Sequence, residues 1–277
     1  MTSTFEKSCK HWSSQKKIEM EKFYTLAKID YKLLSEFINW PLWFKNIVEC
    51  NKKNKIELLD VACGSGQFPS ALIKYSSITK DLSNQINYSL LDPSSFSLFE
   101  AKKVLKPPFF VHESFETTLQ DFEVKGKLYD VIWAIHALYA IPKNELKIAL
   151  EKLLLCLKGK GFIAHSTINS HYIKFYDIYN KGFKNSEVVP FTCASDIANA
   201  LNELNVEYKI QTLNYNNSAH VKDEYLVEGF LQRCAFDDKH SLNEMRNNKI
   251  IGNYLKKHIT NDQWFFPQEV QLFFINK

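Results

Sequence analysis

Residues 58–68 read Leu58-Leu59-Asp60-Val61-Ala62-Cys63-Gly64-Ser65-Gly66-Gln67-Phe68. The apolar residues at the start of this stretch predict a strand that is buried on both faces of a parallel sheet. Gly64 and Gly66 predict a turn that opens a helix and lets the backbone come close to a ligand. The exposed N–H groups of the helix start would then face that ligand. The simpler alternative is a plain tight turn without a ligand.

A second polar position follows at the end of the next predicted strand. Asp92 lies 26 residues after Gly66 (92 minus 66). An acidic side chain there can accept hydrogen bonds from both hydroxyls of an adenosine ribose, although capping of a helix before Pro93 would also explain it. A dinucleotide site would want a third glycine at position 69, where this chain has Pro69. These features predict a ligand that contains adenosine but no pyrophosphate.

The alternation of strands and helices extends over most of the chain, and it predicts an α/β fold with a doubly wound, mostly parallel sheet. Seven strands are predicted, at residues 55–62, 86–91, 109–111, 129–134, 161–166, 206–213 and 270–275. The helices that follow them are predicted at residues 67–75, 94–105, 143–157, 195–204, 223–236 and 241–259.

Helical periodicity also precedes the first strand. It covers residues 18–47 and is interrupted near Pro41. We therefore predict an N-terminal helical cover over residues 1–54 and a main domain over residues 55–277. Within the main domain, helices at about 168–192 and 215–262 are predicted to cover a substrate.

Composition narrows the class of protein. The 35 Lys and Arg residues exceed the 31 Asp and Glu residues by only four, and the charge is spread along the chain, which argues against nucleic acid as a partner. No run approaches the roughly 18 apolar residues of a membrane span, and residues 1–22 are too polar for a signal peptide. The six cysteines form no Cys-x-x-Cys pair, so no metal site is expected. We expect a cytoplasmic protein, either a monomer or a homodimer.

From about residue 55 to residue 166 the chain resembles the class I S-adenosylmethionine-dependent methyltransferases. The likeness rests on an acidic residue, a glycine turn and a helix in that order, with Ala62 in place of the first glycine of the common pattern. It implies a Rossmann-like methyltransferase fold that binds S-adenosyl-L-methionine and releases S-adenosyl-L-homocysteine. The implied cofactor-binding residues are Asp60, Ala62, Gly64 and Gly66 near the methionine part, Asp92 and Pro93 at the ribose, Glu113, Ser114 and Phe115 at the adenine, and Ala134.

After the fourth predicted strand, the same resemblance implies that side chains reach the methyl group. His136 and Tyr139 lie there, and they are the candidate catalytic residues. A lone histidine is more often a structural residue, so this assignment competes with a packing role.

The second half of the chain loosely resembles histamine N-methyltransferase and its relatives. Points of likeness are Leu138-Tyr139 after the fourth strand and the closing Phe266-Pro267-Gln268-Glu269-Val270 strand. The resemblance implies that Asp30 grips an amine, with His136 and Gln268 standing where that family has amides. Tyr24 belongs to an aromatic-rich cover that could favour a cation, although core packing also explains such residues.

These observations predict N-methylation of a small amine or imidazole compound. The alternatives are an O-, S- or carboxyl methyltransferase acting on a small metabolite, or a non-catalytic protein of the same fold that binds an adenosyl ligand. A nucleotide-modifying enzyme is a further alternative, resting only on the slight positive charge.

Overall fold

The computed structural model describes residues 4–51, 55–82, 85–184 and 189–277. Its strands, in chain order, are β1 Lys55–Val61, β2 Gln85–Leu91, β3 Phe109–Phe115, β4 Tyr129–Ile135, β5 Leu157–Ser166, β6 Tyr208–His220, β7 Ile259–Thr260 and β8 Gln263–Asn276. Its helices are α1 Thr4–His11, α2 Lys17–Phe37, α3 Trp40–Asn51, α4 Gln67–Tyr75, α5 Ile78–Asp81, α6 Ser95–Val104, α7 Lys143–Cys156, α8 His171–Phe183, α9 Ala194–Glu203, α10 Glu224–Ala235, α11 Leu242–Asn247 and α12 Lys249–Lys256. Parts of the predicted covering segments, residues 1–3, 52–54 and 185–188, lie outside the described residues.

The strands form one sheet in the order β3-β2-β1-β4-β5-β8-β6. The first five strands of that order are parallel, whereas β8 runs antiparallel to both β5 and β6. The strand order reverses beside β1, so the carboxyl ends of β1 and β4 flank the crevice where doubly wound sheets bind ligands. The predicted α/β fold with a mostly parallel sheet is confirmed.

The predicted strand count of seven is wrong, because the described sheet has eight strands. The eighth, β7, is only two residues long and pairs with the start of β8. It lies at the end of the segment predicted as one helix over residues 241–259. That segment is instead two short helices, because the side chain of Asn248 accepts hydrogen bonds from the N–H groups of Ile250 and Ile251 and starts a new helix.

The β6–β8 hairpin is longer than predicted. Its register pairs Tyr215 with Gln268 and Asn217 with Phe266, several residues beyond the predicted strand ends. Residues 215–220 are therefore strand, and their assignment to a covering helix is wrong. Pro267 lacks the N–H that a strand flanked on both sides would need, but this part of β8 pairs only with β6, so Pro267 is tolerated.

Aromatic packing joins the N-terminal helices to the sheet. Trp40 and Phe44 of α3 are buried, and the Trp40 ring lies 5.4 Å from Phe68 and 5.1 Å from Phe162, measured between ring centroids. Trp133 of β4, fully buried, packs edge to face on Phe68 at 5.0 Å. Such rings bury large apolar areas. The helical cover thus shares its core with the strands that carry the site.

Candidate functional site

A cavity lies at the carboxyl edge of β1, β2 and β4, and we call it the edge cavity. Ala62, Asp92 and His136, the residues that directly follow these strands, all line it. Ala62 and His136 have positive φ angles of 50° and 53°, which non-glycine residues rarely adopt. Strained backbone of this kind concentrates at functional sites. Both strands therefore end in sharp turns that open toward the same space.

The glycine turn and Asp92 form one hydrogen-bonded unit. Asp92 accepts hydrogen bonds from the N–H of Gly64 (2.9 Å) and the N–H of Ser94 (2.8 Å), one at each carboxylate oxygen. Its side chain lines the edge cavity although the residue is only 7% exposed, and this burial raises the pKa of its carboxyl to about 6. Each carboxylate oxygen keeps a second lone pair for a ligand hydroxyl. The predicted meeting of the turn and Asp92 is what the structure shows.

Asp60 is a second buried carboxylate on the same side of the edge cavity. The hydroxyl of Tyr88 donates to it at 2.6 Å. Burial raises the pKa of Asp60 to about 7. The described lining residues that follow it in the chain, Val61 to Gly64, carry no positive charge. The carboxylate of Asp60 is therefore suited to pair with a cationic group of a ligand.

Gly66 does not line the edge cavity, in contrast to Gly64. Its φ is +73°, and a Cβ at this position would lie 2.6 Å from Cγ2 of Val104 and 3.1 Å from Cα of Ala101. Gly66 therefore lets the turn pack against α6. Ala134 lies deeper, fully buried within β4, and is also absent from the cavity wall.

The structure does not bring Glu113, Ser114 and Phe115 to the edge cavity. The prediction placed them in the loop after the third strand, but β3 continues to Phe115, four residues beyond the predicted end. The ring of Phe115 packs on Phe122 instead. The wall on this side is formed by the following loop, whose lining residues are Thr118, Leu119 and Gln120.

The N-terminal segment forms part of the wall of the edge cavity. The sequence predicted a helical cover there but did not indicate which of its residues line the cavity. Ser8, Cys9 and Trp12 line the cavity, and Ser94 donates a hydrogen bond to the carbonyl of Trp12 at 2.8 Å. Pro93, next to Asp92, lines the same region. Residues of α1 and of the sheet edge therefore bound this part of the cavity together.

The edge cavity is also lined by a third buried carboxylate, which has tyrosines around it. Asp30 of α2 accepts hydrogen bonds from the Tyr172 hydroxyl (2.5 Å) and the Asn217 amide (2.7 Å) and is 2% exposed. Burial raises the pKa of Asp30 to about 7. Tyr24 and Tyr31, whose rings lie 6.2 Å apart, line the cavity beside it.

Gln268 is linked to Asp30 only through Asn217. Its side chain is buried outside the cavity wall and donates to the Asn217 amide oxygen at 2.7 Å, and the Asn217 amide in turn donates to Asp30. Asn217 was not predicted, because an asparagine within a polar strand carries no distinguishing signal.

His136 and Tyr139 meet at the cavity wall. His136 Nδ1 and the Tyr139 hydroxyl are hydrogen-bonded at 2.7 Å, and that hydroxyl bonds to Ser166 Oγ at 2.8 Å. Burial lowers the pKa of His136 to about 3, so the imidazole is neutral near pH 7. Its Nε2 has no hydrogen-bond partner among the described residues. Burial therefore disfavours the protonated form, and the ring is suited to hydrogen bonding as a neutral group.

The described residues hold no group of three or more His, Cys, Asp or Glu side chains arranged to bind a metal ion. Among the same residues, no helix has the length and apolar character needed to cross a membrane.

Comparison with solved structures shows the same fold in methyltransferases. Magnesium protoporphyrin IX methyltransferase from Synechocystis PCC 6803, with bound SAH, is 10% identical, with a TM-score of 0.53 and coverage of 95% of this chain and 96% of that one. The plantazolicin methyltransferase BpumL in complex with SAH is 16% identical, with a TM-score of 0.50 and coverage of 98% and 94%. A cyclopropane-fatty-acyl-phospholipid synthase-like protein from Lactobacillus casei is 13% identical, with a TM-score of 0.53 and coverage of 80% and 84%.

Sequence comparison adds the family. No curated protein sequence matches the chain significantly. The family described as "Methyltransferase domain" matches residues 34–211, which include every strand from β1 to β5. Since this match spans more than half of the chain, the protein belongs to the methyltransferase domain family.

Proposed function

We propose that this protein transfers a methyl group from S-adenosylmethionine to a nitrogen atom of a small amine or imidazole compound. The observation that carries the proposal is the shape and charge of the edge cavity. The same cavity is lined by Gly64 of the glycine turn, by Asp60 and Asp92, and by the carboxylate of Asp30, to which Tyr172 donates a hydrogen bond. A cavity that joins a nucleoside site to a cation-attracting site fits the two substrates of such a transfer.

The residues at the turn fit the cofactor. Asp92 presents carboxylate lone pairs suited to ribose hydroxyls, Gly64 lacks a side chain that would block the approach, and Asp60 offers a carboxylate to an ammonium group. SAH is bound in two of the similar solved structures, which supports this choice of cofactor. When bound, S-adenosylmethionine supplies a methyl carbon on a sulfonium, a good leaving group. The protein then mainly has to hold the acceptor in line.

The surroundings of Asp30 in the cavity fit a cationic methyl acceptor. The Asp30 carboxylate can pair with an ammonium or imidazolium group, and the aromatic rings of Tyr31 and Tyr172, which line the cavity with it, favour the same charge. A protonated amine is no nucleophile, so its proton must leave before transfer. Asp30, whose carboxyl pKa is raised to about 7, is the group at hand to take it, while Tyr139 and Ser166 orient the neutral imidazole of His136 in the same cavity wall.

The test is a methylation assay with labelled cofactor. We expect transfer to members of an amine and imidazole panel and none to phenol, thiol or carboxylic acid panels. Transfer confined to one of the latter panels would replace the proposal by O-, S- or carboxyl methylation. SAH binding without transfer to any pool would indicate a non-catalytic adenosyl-binding protein. The finer likeness to histamine N-methyltransferase stays a prediction until then.

Cofactor affinity is expected to depend on pH through Asp60. Its raised pKa of about 7 means that the carboxylate is mostly protonated at pH 6 and mostly ionised at pH 8. Because the ammonium group of SAH stays charged over this range, its binding should tighten up to roughly tenfold as the pH rises. Titration calorimetry at pH 6, 7 and 8 measures this. In Asp60→Asn the tightening between pH 6 and pH 8 should fall to the smaller part that Asp92, with a pKa of about 6, contributes, and an unchanged slope in that variant would rule out the assignment.

Acceptor binding is expected to depend on Asp30. Asp30→Asn keeps the side-chain shape but removes the buried charge, so the KM for a cationic acceptor should rise about 10- to 100-fold. SAH affinity should stay within about twofold of wild type, since the side-chain hydrogen bonds of Asp30 are to Tyr172 and Asn217 and not to the glycine turn or Asp92. Steady-state kinetics and calorimetry measure the two values. Glu36→Gln, an exposed position on the same helix, is the matched control.

A further inference from the structure

Arg233 is a buried cation in the wall of the edge cavity. It lies near the end of α10, is 2% exposed, and lines the cavity together with Tyr24 and Trp12. Its guanidinium carbon lies 4.8 Å from the centroid of the Trp12 ring, and one guanidinium nitrogen donates to the carbonyl of Lys16 at 3.3 Å. A guanidinium that lines a cavity can bind an anionic ligand through charge-assisted hydrogen bonds.

The charges of the edge cavity are unequal. Among the described residues that line it, Arg233 is the only lysine or arginine, whereas Asp30, Asp60 and Asp92 are all acidic. A ligand carrying both an ammonium and a carboxylate therefore finds carboxylates for its cation and one guanidinium for its anion. The amino-acid end of S-adenosylmethionine has this pair of charges.

Tyr24 connects Arg233 with the glycine turn. A Cβ at Gly64 would lie 3.8 Å from the Tyr24 hydroxyl, so this hydroxyl borders the turn. The same tyrosine packs on Trp12, with ring centroids 5.7 Å apart, and Trp12 in turn stacks on Arg233. Arg233 thus stands on the side of the cavity where the glycine turn lies.

We propose that Arg233 binds the carboxylate at the amino-acid end of the cofactor, through charge-assisted hydrogen bonds from the guanidinium that lines the edge cavity together with Trp12, Tyr24 and Gly64. This inference rests on the proposed function. It assigns cofactor binding to α10, which lies outside the part of the chain that the family match covers. Binding of the cofactor would then tie α10 and the N-terminal segment to the sheet edge.

Arg233 also supports the N-terminal segment through Trp12 and Lys16, so a loss of binding alone would not separate the two roles. Two ligands that differ only in the carboxylate do separate them. Calorimetry with S-adenosylmethionine and with decarboxylated S-adenosylmethionine should show that the wild type prefers the former about 10- to 100-fold. In Arg233→Gln we expect S-adenosylmethionine to weaken by that factor and the decarboxylated ligand to change less than about twofold, which removes the preference.

Other results overturn the inference. Equal weakening of both ligands in Arg233→Gln would show a purely structural role, and so would an unchanged preference. If Arg233→Gln does not fold, Arg233→Lys should retain a reduced preference, and a wild type that binds both ligands equally would refute the inference without any variant. Trp12→Leu, which removes the stacked ring but keeps the charge, should weaken both ligands alike. Failure of the wild type to bind either ligand would instead overturn the proposed function.

Discussion

Replacing Asp92 by alanine is expected to weaken SAH binding about 100-fold or more. The carboxylate would be lost as acceptor for both ribose hydroxyls, and each charge-assisted hydrogen bond contributes about 1.5–3 kcal/mol. The N–H groups of Gly64 and Ser94 would also lose their partner, so the turn would be less well held. Titration calorimetry with SAH measures the loss.

The matched control is Asp81→Ala, at an exposed carboxylate in the short helix α5. It should bind SAH as the wild type does. If Asp92→Ala also bound SAH within about threefold of wild type, Asp92 would serve only to cap the backbone, and the edge cavity would need another ligand.

The second large effect is expected at Gly66, on stability. A Cβ there would approach backbone and side-chain atoms of α6 at 3.1 Å and 2.6 Å, in a backbone conformation with φ at +73°. The conformation costs about 1–2 kcal/mol for an L-residue, and overpacking adds about 1–3 kcal/mol. Gly66→Ala should therefore lower the free energy of unfolding by about 2–5 kcal/mol, as measured by urea denaturation.

Gly64→Ala provides the comparison. Its φ of +52° carries a similar conformational cost, but the nearest atom to a Cβ is 3.8 Å away, so no clash is added. It should lose only about 1–2 kcal/mol of stability. Equal destabilisation by the two substitutions would show that packing against α6 is unimportant at Gly66.

The proximity of the glycine turn and Asp92 was predictable because its signals are local. The strand, the turn and the helix start lie within residues 58–68, and Asp92 is one strand further on. Such patterns depend on backbone conformation and strand burial, which short stretches of sequence determine. The placement of Glu113, Ser114 and Phe115 in a loop at the cavity was wrong because of a strand boundary. The apolar pattern stops at Val111, whereas β3 extends to Phe115.

The surroundings of Asp30 depend on contacts between segments that lie far apart in the sequence. Asp30, Asn217 and Gln268 lie in α2, β6 and β8, and only the antiparallel register of the hairpin brings the two amides together. Asp30 and Gln268 entered the prediction through family likeness, not through any local pattern. Arg233 and Trp12 have no signature at all, because their position follows from the packing of α10 against the N-terminal segment.

The final hairpin extends past the rest of the sheet. Val270 is the first residue of β8 that pairs with β5, so residues 263–269 extend beyond that pairing and are paired by β6, with β7 at Gln263 and Trp264. Gln268 in this extension and Asn217 in β6 are the amides linked to Asp30, whereas the glycine turn and Asp92 follow β1 and β2. We therefore expect that exchanging the tip of the β6–β8 hairpin changes which nitrogen compounds are methylated, while the affinity for SAH stays constant.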